Sequence, residues 1–252
     1  MSFEVSAEAY TRFMGRYSEP LAAGFADAAE VAAGQRALDV GCGAGALTAE
    51  LVRRLGAVAV SAVDPQQAFA AAVRQRCPGA DVGVAAAEAL PFGEGVFDVA
   101  LAELVVHFMT DPVAGLREMA RVTRAGGVVG ACVWDHAGGG GPLTVFWRAV
   151  REVDPTASDE SGLAGAREGH LAQLFGQAGL TGAKATTLTV GVRYGAFDDW
   201  WEPFTLGVGP SGAYVTSLAD GDRATLRDRC RDLLGPAPFT ISASAWTVTA
   251  RR

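Results

Sequence analysis

Runs of apolar residues alternate with helix-compatible segments along the first half of the chain. The runs RALDV, AVAVSAVD, DVGVA, FDVALAEL and VVGACVW are typical of buried strands. Between them lie segments with helical periodicity, among them ALTAELVRRLG, which Gly56 ends, and DPVAGLREMARVT, which Thr110 or Asp111 caps. Five strand–helix units in this order predict a Rossmann-like, doubly wound α/β fold with a mostly parallel sheet.

The pattern changes after residue 135. GAKATTLTVGV and FTISASAWTVTA alternate between polar and apolar residues, as half-exposed strands do. These two strands predict an antiparallel hairpin at one edge of what becomes a seven-stranded sheet. Near the start of the chain, Pro20 is expected to open a helix that runs to about Ala33, with Gly34 as its C-cap.

The length of 252 residues suits one domain with an elaborated cap. We therefore expect a single domain over residues 1–252, with a ligand-binding core at 36–134. Three segments lie outside the alternation of strands and helices, at residues 1–20, 135–180 and 194–238. We expect them to form a helical cap over the cleft.

Charge and composition narrow the classes of function. The chain is acidic, with a formal net charge of −7, and it has no cluster of Lys and Arg that would hold a nucleic-acid backbone. Charged residues within the first thirty positions exclude a signal peptide, and no uncharged stretch is long enough to span a bilayer. Four well-separated cysteines, without metal-ligand spacing, indicate reduced thiols and no metal site. We expect a cytoplasmic protein that acts on small molecules without nucleic acid or membrane insertion.

A glycine-rich turn, LDVGCGAGAL, follows the first predicted strand. In doubly wound sheets ligands bind beyond the carboxyl ends of the strands, and this turn is the usual contact. Gly41, Gly43 and Gly45 are followed by Ala46 where the dinucleotide fingerprint places its third glycine, and no Gly-Lys-Ser/Thr of a phosphate loop follows. Asp64 ends the second strand roughly 20 residues later, the separation expected of an acid that bonds a ribose diol. The turn therefore predicts an adenosine-type ligand, although Asp64 also suits the start of a helix before Pro65.

The motifs LDVGCGAGALT, AVDP, AEALPFGEGVFDVAL and EMARVTRAGGVV occur in this order across residues 36–134. In this order the chain resembles the class I S-adenosylmethionine-dependent methyltransferases, of the ubiquinone/menaquinone-biosynthesis-like group. The resemblance implies S-adenosyl-L-methionine as the cofactor. It also implies a set of cofactor-binding residues: Arg16, Gly41, Cys42, Gly43, Gly45, Asp64, Pro65, Ala87, Glu88, Glu103 and Leu104.

The resemblance gives these residues different roles. The glycines would let the backbone approach the methionine and ribose, Asp64 would hold the ribose hydroxyls, and Glu103 or Leu104 would lie beside the sulfonium. The family often has Asp-Ala-Glu before LPF, where this chain has Ala86, so the side-chain contact to the adenine amino group is missing. Backbone groups near Ala87 and Glu88 would then read the adenine edge.

Candidate groups for the chemistry follow the fourth and fifth strands. Methyl transfer needs a base only when the acceptor must lose a proton. His107 is one candidate base, and His136 beside Asp135 is the other; the alternatives are a buried structural imidazole and a solvated loop. Arg16 is either a partner for the methionyl carboxylate or an exposed helix charge. Several aromatic residues are candidates for an acceptor wall or for core packing: Tyr10, Tyr17, Trp134, Trp200 and Trp201.

Methyl transfer to a small-molecule acceptor by in-line displacement is the function that these patterns predict. One alternative is a protein that binds S-adenosylmethionine without methyl transfer, recruited for cyclisation, isomerisation or regulation. Another is an NAD-dependent oxidoreductase. The sequence leaves the acceptor, the methylated element and the oligomeric state open, because specificity lies in the cap and does not follow from the fold.

Overall fold

The computed structural model describes residues 7–252, in which seven strands form one sheet. The strand order is β3-β2-β1-β4-β5-β7-β6, with the first five strands parallel and β7 antiparallel to both of its neighbours. The strands are β1 (Ala37–Val40), β2 (Val60–Asp64), β3 (Asp81–Val84), β4 (Phe97–Glu103), β5 (Thr123–Trp134), β6 (Lys184–Tyr194) and β7 (Phe239–Arg251). Both the predicted parallel sheet and the predicted antiparallel edge hairpin are confirmed.

Helices lie on both faces of the sheet. They are α1 (Ala7–Tyr10), α2 (Arg16–Ala28), α3 (Ala46–Leu55), α4 (Gln67–Arg76), α5 (Pro112–Val122), α6 (Thr144–Val153), α7 (His170–Gln177), α8 (Phe197–Trp201), α9 (Gly209–Ser217) and α10 (Asp220–Leu234). Asp111 rather than Thr110 caps α5, because its Oδ1 accepts the amide of Ala114 at 3.0 Å while Pro112 occupies the first turn.

Alternation along the strands divides the core into two apolar layers. In β4, Val99 and Leu101 pack with α2, α3 and α6, whereas Ala100 and Ala102 pack with α5 and α7 on the opposite face. Strands buried on both faces read as continuous apolar runs, which is why the five parallel strands are visible in the sequence. The edge strand β6 is mostly exposed and alternates instead.

The N-terminal helix departs from the prediction at both ends. It begins at Arg16, directly after a π-helical turn at Thr11–Gly15, so Pro20 lies inside the helix rather than at its start. Burial of Phe13 and other apolar residues along this stretch outweighs the backbone hydrogen bond that proline removes. The helix ends at Ala28, and Glu30, with φ 57°, takes the left-handed position expected for Gly34.

Register brings three site positions to the carboxyl edge of the sheet. Val40 pairs with Val63, and Asp39 pairs with Leu101. Gly41, Asp64 and Glu103 therefore stand beside one another where three neighbouring strands end. One segment expected in the cap lies elsewhere: α7 packs its Leu171, Leu174 and Phe175 into the sheet layer beside α5, because its apolar stripe needs a face to cover.

Candidate functional site

The glycine-rich turn brings its backbone close to neighbouring elements. The amides of Gly41 and Cys42 both donate to the carbonyl oxygen of Val63, at 2.8 and 2.9 Å. Gly41 has φ 73°, and a Cβ on it would lie 2.4 Å from Cγ1 of Val105. Gly43 has φ 48°, and a Cβ there would meet no atom within 4 Å. The turn thus needs glycine at position 41 because a side chain there would clash with Val105. At position 43 it needs glycine because of the positive φ, and the space beside this residue is open.

Asp64 is held against this turn. Its carboxylate is 6% exposed; Oδ2 accepts the amide of Gly43 at 3.0 Å, and Oδ1 accepts the amide of Gln66 at 2.8 Å. Burial raises the pKa of Asp64 above its ordinary value, while the two amides act in the opposite direction. The side chain is therefore oriented by the backbone before any ligand arrives.

A cavity of about 240 Å³, called here the large cavity, opens beyond these strand ends. Nine of the residues predicted to bind a cofactor line it: Gly41, Cys42, Gly43, Asp64, Pro65, Ala87, Glu88, Glu103 and Leu104. Gly45 does not line it, because this glycine faces Val73 of α4, where a Cβ would approach to 3.1 Å. Gly45 is a packing position between α3 and α4.

Arg16 is also absent from the wall of the large cavity. Helical spacing leaves Arg16 on a different face from the residues that line this cavity, which are Thr11, Gly15, Ser18 and Glu19. The Arg16 guanidinium lies instead 5.3 Å from the ring centre of Tyr194. The structure therefore does not bring Arg16 to the large cavity, and its pairing with a bound carboxylate stays a prediction.

Arg76, which the sequence reading missed, is the guanidinium in the wall of the large cavity. It donates to the carbonyl of Ala44 at 3.1 Å and to Glu19 at 2.8 Å. Nothing in the local pattern marks Arg76, since it ends an ordinary amphipathic helix and reaches the turn only through tertiary packing.

Two further acids are buried at the floor of the large cavity. Glu103 is 9% exposed and its Oε1 has no hydrogen-bond partner among the described residues, while burial raises its pKa well above the ordinary value. Asp39, missed at the sequence level, accepts a hydrogen bond from Thr48 Oγ1 at 2.6 Å, and burial raises its pKa to about 7. An acid inside an otherwise apolar strand was the available signal.

Backbone strain accompanies these acids. Leu104, directly after β4, has φ 60°, and it is one of only two non-glycine residues with positive φ among residues 7–252. Its amide donates to the carbonyl of Cys132 at 2.9 Å, which holds the turn against β5. Leucine costs about 1–2 kcal/mol in this conformation, so the surroundings impose it at the cavity wall.

The carboxylate of Glu88 is hydrogen-bonded within the protein. Its Oε1 accepts the amides of Thr110 and Asp111, at 2.8 and 3.1 Å. The neighbouring Ala86 and Ala87 give this part of the wall an apolar surface. The carboxylate of Glu88 is therefore already engaged in ordering the loop before α5.

A second cavity of about 40 Å³, called here the small cavity, shares Tyr10, Leu104 and Phe108 with the large one. His107 and His136 both line it, with ring centres 6.1 Å apart, so the structure brings the two candidate bases together. Burial lowers the pKa of His107 to about 3 and that of His136 to about 4, which keeps both imidazoles neutral near pH 7.

The predicted aromatic walls divide between these cavities and the core. Tyr10 lines both cavities and Trp134 lines the small one. Tyr17 is buried and its hydroxyl accepts a hydrogen bond from the hydroxyl of Tyr194 at 2.8 Å. Trp200 and Trp201 pack around Phe204. Core packing is therefore what the structure shows for these last three aromatics.

Comparison with known proteins agrees with this architecture. Residues 38–130 match the family described as the methyltransferase domain. An uncharacterised methyltransferase of Mycobacterium tuberculosis is 36% identical over 135 residues, or 54% of this chain and 52% of that protein. An uncharacterised protein of the same species is 28% identical over 216 residues, or 80% of this chain and 76% of its own length.

Solved structures extend the likeness to the whole fold. The YcgJ protein from Bacillus subtilis superposes with a TM-score of 0.58 at 18% identity, covering 94% of this chain and 98% of that chain. Within residues 7–252, no helix is both long and apolar enough to cross a membrane. The predicted family and its cofactor, S-adenosylmethionine, are confirmed, while the ubiquinone-like subgroup stays a prediction. Residues 38–130 of the chain form a methyltransferase domain.

Proposed function

We propose that this protein transfers a methyl group from S-adenosylmethionine to a small-molecule acceptor by in-line displacement. The observation that carries the proposal is the position of Asp64, a buried carboxylate oriented by the glycine turn at the floor of a 240 Å³ cavity. The acceptor would enter from the small cavity, which shares the strained Leu104 with the large one.

The residues of the large cavity fit this cofactor without a phosphate site. S-adenosylmethionine carries no phosphate, so the turn needs no lysine. Asp64 would accept hydrogen bonds from both ribose hydroxyls, and the absence of a side chain at Gly43 would leave room for the ribose and methionine. The apolar strip at Ala86 and Ala87 would lie against the adenine ring.

Charged residues in the wall of the large cavity also fit this cofactor. When bound, the cofactor supplies a methyl group already activated on a positively charged sulfur. Glu103, with an unpartnered oxygen, would lie on the side of that charge, and Arg76 rather than Arg16 is the guanidinium available to the methionyl carboxylate. Acid at one end of the cavity and base at the other would fix the direction in which the ligand lies.

Catalysis of this reaction depends mainly on alignment. The aromatic and aliphatic walls shared by Tyr10, Leu104 and Phe108 would hold the acceptor's nucleophilic atom in line with the methyl group and exclude water. His107 and His136, neutral near pH 7, would accept a hydrogen bond from the acceptor. Because their pKa values are low, these histidines would mainly position the acceptor and would be only weak bases.

The test begins with calorimetric titration of S-adenosylmethionine and S-adenosylhomocysteine into three proteins: wild type, Asp64→Asn and Asp232→Asn. Asparagine keeps one acceptor for the backbone but loses the charge that meets the ribose. A hydrogen bond to a charged group contributes about 1.5–3 kcal/mol, so we expect Asp64→Asn to weaken binding about tenfold or more. The exposed Asp232 is a matched control, and its variant should bind like wild type.

Two results would contradict the proposal. Equal binding by wild type and Asp64→Asn would remove the ribose assignment, and binding of NADH in place of S-adenosylmethionine would favour the oxidoreductase alternative. Turnover decides the reaction itself: S-adenosylhomocysteine must accumulate when an acceptor is added. Tight cofactor binding with no transfer to any acceptor would favour the non-catalytic alternative.

A further inference from the structure

A buried carboxylate, that of Glu160, lies between the small cavity and a neighbouring polar cavity of about 200 Å³. Glu160 begins a short 3-10 turn, Glu160–Gly162, between α6 and α7. Its side chain is 4% exposed, the indole of Trp147 is beside it, and its Oε2 has no hydrogen-bond partner among the described residues. Buried polar atoms in native proteins are nearly always paired, so such an atom facing a cavity indicates a ligand group.

Glu160 forms no ion pair within the described residues. Arg151 lines the polar cavity together with Glu160, but its guanidinium donates to Asp159 Oδ2 at 2.7 Å. No lysine or arginine lines the small cavity, and its two histidines are neutral near pH 7. Burial also raises the pKa of Glu160 to about 7. A cationic ligand group would supply the missing partner and stabilise the ionised form.

The rest of the wall suits a cation with an apolar body. Tyr10, Phe13, Phe108 and Trp134 surround the small cavity with aromatic rings. Ring faces attract ammonium groups, and the attraction strengthens when water is excluded. Aliphatic carbon attached to that ammonium would be buried against the same rings.

Size limits what can enter. The small cavity measures about 40 Å³, and one water requires roughly 10–15 Å³ of such space, so it holds about three water-sized groups. An ammonium with a short aliphatic stem fills that volume. Glu160 does not line the large cavity, so the charged end of the ligand would point away from the cofactor.

On these grounds we propose that the methyl acceptor is a small amphipathic amine, whose ammonium group pairs with Glu160 while its apolar body extends toward the large cavity. This inference rests on the proposed function. Glu160 is a binding residue that selects the acceptor, and the atom that receives the methyl group lies at the other end of the molecule, beside Leu104.

The experiment uses three probes that share a phenol body and differ only at the end of a two-carbon arm: tyramine, tyrosol and 4-hydroxyphenylacetate. Each is titrated calorimetrically at about pH 8, where an acid of ordinary or moderately raised pKa is ionised. The proteins are wild type, Glu160→Gln and Glu168→Gln, with and without saturating S-adenosylhomocysteine. Glu168 is an exposed acid of the same inter-helix segment, so its variant is the matched control.

We expect wild type and Glu168→Gln to bind tyramine about tenfold or more tightly than tyrosol, and the carboxylate least. Glu160→Gln, which keeps the shape and removes the charge, should bind tyramine no better than tyrosol. The Glu160→Gln substitution should reduce the difference in affinity between tyramine and tyrosol, and it should leave the affinity for S-adenosylhomocysteine unchanged.

Three outcomes would overturn the inference: no binding of tyramine, equal binding of tyramine and tyrosol, or an ammonium preference that survives in Glu160→Gln. Failure of the proposed function looks different, since wild type would then not bind S-adenosylmethionine or S-adenosylhomocysteine. The titrations without cofactor decide the role of Glu160 in either case.

Discussion

The large and small cavities lie side by side but are built in different ways. The turn and acid of the large cavity come from a short stretch, Gly41 to Asp64, and backbone amides already orient the carboxylate. The small cavity is lined by side chains from distant segments, including Tyr10, Trp134, Glu160 and Ser211. Several of its polar atoms have no partner among the described residues, namely His107 Nδ1, Trp134 Nε1, Glu160 Oε2 and Ser211 Oγ.

The difference follows from what each cavity would bind. A cofactor shared by many proteins can be bound by backbone groups, whose positions tolerate changes in the surrounding side chains. A particular acceptor must be recognised by side chains, and polar atoms that await it carry a desolvation cost in the free protein. Removing a paired polar group should therefore destabilise the protein, whereas removing an unpaired buried one should be neutral or stabilising.

The largest effect is expected from Gly41→Ala in the turn of the large cavity. Overpacking against Val105 and a positive φ together should lower the free energy of unfolding by about 2–4 kcal/mol. Denaturant unfolding measures this loss, and the double variant with Val105→Ala should recover part of it. Gly34→Ala is the control: its φ is also positive, at 88°, but its Cβ would meet nothing within 4 Å, so a loss as large as that of Gly41→Ala would contradict the packing argument.

A pH-dependent effect of at most similar size is expected from the buried acid Asp39. Its pKa is raised from 3.8 to about 7, so the folded protein binds a proton that the unfolded chain releases, and stability falls as the pH rises between these values. Asp39→Asn cannot ionise. Relative to wild type, its unfolding free energy should rise by up to about 4 kcal/mol as the pH increases from about 4 to about 8. Parallel pH profiles for the two proteins would show that Asp39 does not carry this shift.

The smallest effect compares a hydroxyl that hydrogen-bonds an acid of the large cavity with a hydroxyl that lines the small cavity. Thr48 donates to Asp39 at 2.6 Å, so Thr48→Val should cost about 1–2 kcal/mol of unfolding free energy. Ser211 is fully buried and its Oγ has no partner in the described residues, so Ser211→Ala should be neutral or stabilise by up to about 1 kcal/mol. Thermal and denaturant unfolding of both variants gives the comparison, and a destabilised Ser211→Ala would contradict it.

Particular elements of the fold show why some predictions from the sequence were confirmed and others were not. The parallel strands were predictable because burial on both faces makes them continuous apolar runs. The start of α2 was not, because burial of Phe13 and Tyr17 extends the helix past the signal at Pro20. The position of Arg16 away from the large cavity was not predictable, because one helical step decides which face a side chain occupies and the π-helical turn before it has no mark in the sequence.

The amino-acid sequence by itself determined the order of strands and helices, the glycine turn and the acid that ends the second strand, since each depends on local spacing and burial. Only the tertiary structure decided that Arg76 rather than Arg16 reaches the turn, that Asp39 and Glu103 share its floor, and that Glu160 faces Tyr10 and Trp134 across a small cavity. Those residues are far apart along the chain, and contacts of that kind exist only after the helices have packed on the sheet.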